Sequence, residues 1–265
     1  ALSAEAFLDQ RKNNSVTAWA DCRIDQLAPH LRKSPDPAFI YHSAFCGSTL
    51  LARALDAPGA VLSLKEPGIL LDLVNARRVT PALQTGNRFE QIADMVIGLL
   101  ARPHTVGERI LIKPTNSVSA LAAFTNARGF PAIFLYGGLQ DFLISLLRKG
   151  EAGRAFIRQQ YNIFALDRTG LSQIDQRRAM SFTDLQVAAL VWRHQLEEFE
   201  RLLKSSSPAA SLDFASFTVK PGAVLRAAAR QLSLPLNEAQ IDDATGGAIF
   251  QTHSKFAGER YDATK

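Results

Sequence analysis

The chain has 265 residues, 47% of them hydrophobic and 21% charged, a balance that fits a packed globular protein and excludes an extended polar one. Its 30 Lys and Arg against 25 Asp and Glu leave a net charge of +5. The basic residues are scattered rather than stacked in tracts, which argues against a nucleic-acid partner and is compatible with a small anionic ligand. Cys22 and Cys46 are too few for a disulfide framework, so a reducing, cytoplasmic setting is the expectation. No apolar run reaches the roughly 18–20 residues that span a bilayer, so no membrane association is expected. No linker-like segment divides the chain, and one domain over residues 1–265 is expected.

Residues 3–32 read as one or two helices within an N-terminal extension (residues 1–35), which Ser34-Pro35-Asp36-Pro37 ends. Ala38 to Ala44 reads as a buried strand that breaks at Cys46-Gly47 and restarts as a helix from Ser48. A second strand, Ala60–Leu64, runs into Lys65-Glu66-Pro67-Gly68, and helices follow over Ile69–Arg77 and Arg88–Arg102. Strand three is Arg109–Ile112, ending in Lys113-Pro114-Thr115-Asn116, with Ser117 as the expected cap of a helix closed by Gly129. Strand four, Ala132–Tyr136, leads through Gly137-Gly138 into a helix over Leu139–Lys149. Residues 151–203 read as a helical insertion, irregular to 182 and then one long helix capped by Thr183. A short strand, Ser211–Phe214, and a helix over Pro221–Gln231 precede a basic tail, residues 246–265.

Strands alternating with helices imply an α/β fold: a three-layer αβα arrangement with a mostly parallel sheet of about five strands. Right-handed crossovers bring the C-terminal ends of all parallel strands to one edge, where such sheets bind ligands. The Cys46–Leu50 turn, Lys65-Glu66, Lys113 and Gly137-Gly138 therefore meet in one cleft. Backbone N–H groups at the turn and the start of its helix suit a phosphate or sulfate, and Ser48 and Thr49 add hydroxyls. The turn has the rhythm of a phosphate-binding loop, yet Ser48 stands where the lysine of GKT or GKS would be.

HSAFCGSTLLARAL (residues 42–55) resembles the 5′-phosphosulfate loop of the sulfotransferase superfamily, in which a glycine-threonine turn replaces GKT. LYGGLQDFLIS (residues 135–145) is similar to that superfamily's 3′-phosphate motif, a strand, turn and helix ending in serine, here Ser145. With LKEP, LIKPTN and HSK, the likeness covers residues 38–265. It implies a P-loop-type sheet in the order 2-3-1-4-5. It also implies sulfuryl transfer from 3′-phosphoadenylyl sulfate (leaving adenosine 3′,5′-bisphosphate) to a hydroxyl or amine acceptor, with no metal. The implied donor-binding residues are Phe45, Cys46, Gly47, Ser48, Thr49, Leu50, Gly137 and Ser145, with Lys255 and Arg260 from the tail. Two positions depart from the family pattern: Phe45 replaces a lysine and Gly137 an arginine. Either other residues compensate or a different ligand is bound.

Among the charged groups, Lys113 is the candidate for stabilising the leaving group, with Lys65 second; the alternative is a strand-end ion pair. Glu66, stiffened by Pro67-Gly68, is the candidate general base, and His42 its competitor, the alternative for His42 being a hydrogen-bonded core residue. A nucleotide-dependent kinase and a non-catalytic anion- or nucleotide-binding protein are the other functional readings. The acceptor, a small molecule, is not named by the sequence, and neither is the oligomeric state. Cys22, Cys46 and the histidines show no metal-ligand spacing.

Overall fold

The computed structural model describes residues 26, 35–167, 170–205 and 208–247. Five parallel strands form its sheet: β1 (Ala38–His42), β2 (Val61–Lys65), β3 (Arg109–Lys113), β4 (Ala132–Tyr136) and β5 (Ala209–Asp213). Their order is β2-β3-β1-β4-β5, as expected from the sequence. The connecting helices are α1 (Ser48–Ala54), α2 (Gly68–Val79), α3 (Arg88–Leu100), α4 (Ala120–Ala127), α5 (Leu139–Arg148), α6 (Gly150–Leu166), α7 (Gln176–Ser181), α8 (Asp184–Leu203), α9 (Phe214–Val219), α10 (Pro221–Gln231) and α11 (Glu238–Gly246).

Each strand sends alternate side chains to opposite faces, so apolar residues on both parities require helices on both sides. Phe39, Tyr41, Leu64, Ile112 and Phe134 face one layer, which contains α2, α3, α4 and the C-terminal half of α8. Ile40, Val61, Leu111, Ile133 and Leu135 face the other, formed by α1, α10 and α11. A third apolar cluster lies beyond the C-terminal edge, where α5, α6 and α8 pack around Ala44. The 151–203 segment thus serves two purposes. Val187, Ala188 and Val191 belong to this cluster, whereas Phe199 stacks on Phe134 of the sheet, ring centroids 4.8 Å apart.

Several boundaries differ from the sequence reading. β1 stops at His42 rather than Ala44, because Ala44 and Phe45 turn into the left-handed region at φ 62° and 50°. β2 runs one residue later, through Lys65. Ser117 does not cap the helix after β3; it lies in a 3-10 turn over Asn116–Val118, and Ser119 takes the cap position of α4. Thr183 caps α8, as expected, and the structure adds a capping box with Gln186. The short helices α9 and α11 were not legible as separate elements.

Candidate functional site

Four strand ends converge at the C-terminal edge. The loop from β1 to α1 carries three left-handed residues, Ala44, Phe45 and Gly47, the last at φ 68°. Only Gly47 reaches that region without Cβ strain, and a Cβ there would also lie 2.0 Å from the Phe214 ring. Phe45 is held by ring contacts with Phe142 (5.4 Å) and Phe156 (5.3 Å), so the departure from lysine at this position anchors the loop to α5 and α6. Cys46 is buried, its thiol donates to the Leu135 carbonyl at 3.5 Å, and burial pushes that thiol up to about 11. At helix α1 the side chains of Ser48 and Thr49 are buried, and Thr49 Oγ1 finds no partner among the described residues. A buried hydroxyl without a partner costs about 1–3 kcal/mol, which a bound anion at the loop would recover. Leu50 is half-buried beside them.

The β2–β3 register places Lys65 directly opposite Lys113, on the same face, and both side chains are fully buried. Like charges in that position repel, and each lysine has a carboxylate. Lys65 reaches back to Asp56 at 3.1 Å and to the Ser63 carbonyl at 3.1 Å. Lys113 donates to Glu66 Oε1. Glu66 has φ 55°, a left-handed geometry rare for a residue with a Cβ, and its N–H donates to the Lys113 carbonyl at 2.6 Å. That turn folds the carboxylate onto Lys113 while leaving 16% of the Glu66 side chain exposed. Burial pulls the Lys113 ammonium below the usual lysine range, and the Glu66 charge opposes that. β3 pairs in parallel with β1, which brings its C-terminal residue Lys113 to the same edge as the loop that follows β1.

His42 is buried, with Nε2 3.1 Å from the Pro114 carbonyl and Nδ1 accepting the Ala44 N–H at 3.2 Å. One imidazole thus ties the loop after β1 to the loop after β3, with a proton on Nε2. Gly137 approaches Cys46 closely, a Cβ there lying 3.5 Å from Cys46 Cβ, and its carbonyl accepts the Trp192 indole N–H at 2.9 Å. Ser145 is half-buried on α5, next to buried Leu146. Lys255 and Arg260 lie outside the described residues. The reading of the sequence missed Asp56, Trp192 and Phe214, whose contacts cross 9, 55 and more than 160 positions of chain. It also missed Gln160, 2% exposed, which joins Asn116 and Ser117 in a buried hydrogen-bond trio. No local signal marks any of these pairings. Among the described residues no group of three His, Cys, Asp or Glu is placed to hold a metal, and no helix is long and apolar enough to cross a membrane.

No family model matches the chain, and no curated protein does. Solved structures do. The sulfotransferase domain from the curacin biosynthetic pathway superposes with a TM-score of 0.52 at 15% identity, covering 84% of this chain and 82% of that one. The fold is that of a sulfotransferase domain. Sulfotransferase STF9 from Mycobacterium avium matches more loosely, with a TM-score of 0.45 at 12% identity over 83% of this chain and 71% of that one. At such identities the likeness to sulfotransferases is one of fold, and the chemistry has to be argued from the residues.

Proposed function

We propose that the chain is a sulfotransferase-like enzyme that moves a sulfuryl group from an adenylyl donor to a hydroxyl or amine acceptor. The observation that carries the reading is the Lys113–Glu66 pair, set beside a loop whose buried Thr49 hydroxyl has no partner among the described residues. The residues fit an anionic donor: the Gly47–Leu50 backbone and Thr49 Oγ1 would hold its phosphosulfate end. When bound, 3′-phosphoadenylyl sulfate supplies an activated sulfuryl group with a phosphate leaving group. Glu66 would take the proton of the acceptor hydroxyl or amine as that group attacks the sulfuryl group and the bisphosphate leaves. Lys113 holds the Glu66 carboxylate in position; having no exposed surface, it would act on the departing phosphate through its charge rather than by contact. His42 contributes by fixing the loop through two backbone contacts rather than by accepting a proton. Lys65, satisfied by Asp56, supports β2 beneath the site.

The test is thermal unfolding with adenosine 3′,5′-bisphosphate in EDTA, beside ATP with magnesium. At about 100-fold saturation the bisphosphate should stabilise by roughly 2.7 kcal/mol. Stabilisation by ATP-magnesium alone would move the reading to a kinase, and no response to either would remove the nucleotide site. A Lys113→Ala variant with unchanged bisphosphate affinity and unchanged turnover would remove the role given to that lysine.

A further inference from the structure

We infer that Lys149 is the cation that meets the anion held by the β1–α1 loop, supplying from a neighbouring helix the charge that the loop itself lacks. The inference rests on the donor reading above and names one of its binding residues. Ser43 to Leu50 contain no basic residue. The two lysines at the adjoining strand ends are wholly buried, and each is engaged by a carboxylate. Lys149 differs on both counts. It is exposed, its ammonium lies 5.5 Å from the centroid of the Phe45 ring, and no carboxylate pairs with it among the described residues.

The geometry that sets this lysine beside the loop is built into two helices. Phe45 stands two residues before Gly47, so the Cα atoms of the two are at most about 7 Å apart. The ring is pinned by Phe142 of α5 and Phe156 of α6, which fixes its position relative to the end of α5. Lys149 occupies the junction between those helices, and Gly150, at φ 55°, makes the turn. Gly153 permits the close approach: a Cβ there would lie 2.4 Å from the Leu146 carbonyl and 3.0 Å from Lys149 Cβ. The lysine stem is therefore set by backbone packing, while its four-carbon chain leaves the ammonium able to swing. An aromatic face attracts an ammonium without cancelling its charge, as a carboxylate would. The charge therefore stays uncancelled beside a residue of the loop.

A basic residue in a last helical turn also suits the helix dipole with no ligand at all, and the two explanations differ in a binding measurement. The probe is adenosine 3′,5′-bisphosphate, titrated calorimetrically without metal into the wild-type chain, Lys149→Gln and Lys149→Arg at two salt concentrations. Loss of one charge-assisted contact is expected to raise Kd about tenfold in Lys149→Gln. Lys149→Arg should stay within about threefold of wild type, and the salt dependence of binding should flatten in the glutamine variant. Unchanged thermal stability of the apo variants would show that the loss is one of ligand contact. Wild-type binding with Lys149→Gln equal to it would overturn the role of Lys149 and leave the donor site standing. Failure of the wild-type chain to bind would overturn the donor site, and this inference with it.

Discussion

Glu66→Gln isolates the buried charge pair, because it keeps the shape of the side chain and removes its charge. Lys113 has no exposed side-chain surface, and its ammonium is bonded to Glu66 Oε1. Removing one partner of a buried pair costs about 3–5 kcal/mol, since the remaining charge keeps its desolvation penalty. Two features point to the lower end, about 3 kcal/mol: Glu66 retains 16% exposure, and a lysine can shed its proton. Lys113→Met should cost less than Glu66→Gln, because the carboxylate it leaves behind is the partner that reaches solvent. The double variant should then be more stable than the sum of the single losses by about 1–3 kcal/mol. Urea unfolding of all four proteins at neutral pH, followed by fluorescence and circular dichroism together, measures this cycle. The Glu66→Gln variant also carries a pH signature. Burial lowers the proton affinity of Lys113 and the opposing Glu66 charge is gone, so the folded variant releases the proton where the unfolded chain still holds it. Above that pH the unfolded state binds more protons, and stability climbs with pH until the ordinary lysine value of 10.5 is passed. A Glu66→Gln variant within about 0.5 kcal/mol of wild type, or a strictly additive cycle, would refute a buried, coupled pair.

Gly47→Ala is expected to destabilise by about 2 kcal/mol, combining left-handed strain with a Cβ placed 2.0 Å from the Phe214 ring. Thermal unfolding measures it, and Phe214→Ala in the same chain should return part of the loss. If Gly47→Ala is neutral, the loop does not hold this conformation. Gln195 is fully buried on α8, and neither of its amide atoms has a partner among the described residues. Gln195→Leu should therefore raise stability, by about 1–3 kcal/mol. A lowered melting temperature would show that the amide has a polar partner in solution.

The fold was legible because it is written in local patterns. The strand cores at Ala38, Val61, Arg109 and Ala132 stand out as short apolar runs, each followed by a helical period, and that alternation leaves few topologies. β4 (Ala132–Tyr136) and α10 (Pro221–Gln231) begin and end where their turn residues say they should. Thr183 marked the start of α8 as its expected cap. The short α9 was hidden because Asp213 both ends β5 and caps the helix, leaving no turn residues between them. For the candidate site, the sequence gathered Gly47, Thr49, Lys65, Glu66 and Lys113 at one edge through the rule for parallel strands.

What the sequence determined by itself was therefore the alternation of strands and helices, and with it a parallel sheet covered on both faces, since that depends on periodicity and turn chemistry within a few residues. The strand order followed from the resemblance to the sulfotransferase superfamily, and most strand ends were set by the fold. Which lysine lies against which carboxylate was decided only in three dimensions. Lys65 and Lys113 are equivalent by position, each at a strand end, yet one is drawn back to Asp56 and the other is met by Glu66 across the cleft edge. The same holds for Phe45. In sequence it is a missing lysine; in the folded chain it packs on Phe142 and Phe156 and brings Lys149 to the loop. Contacts of this kind depend on distance through space between separate elements, and no pattern along the chain encodes that distance.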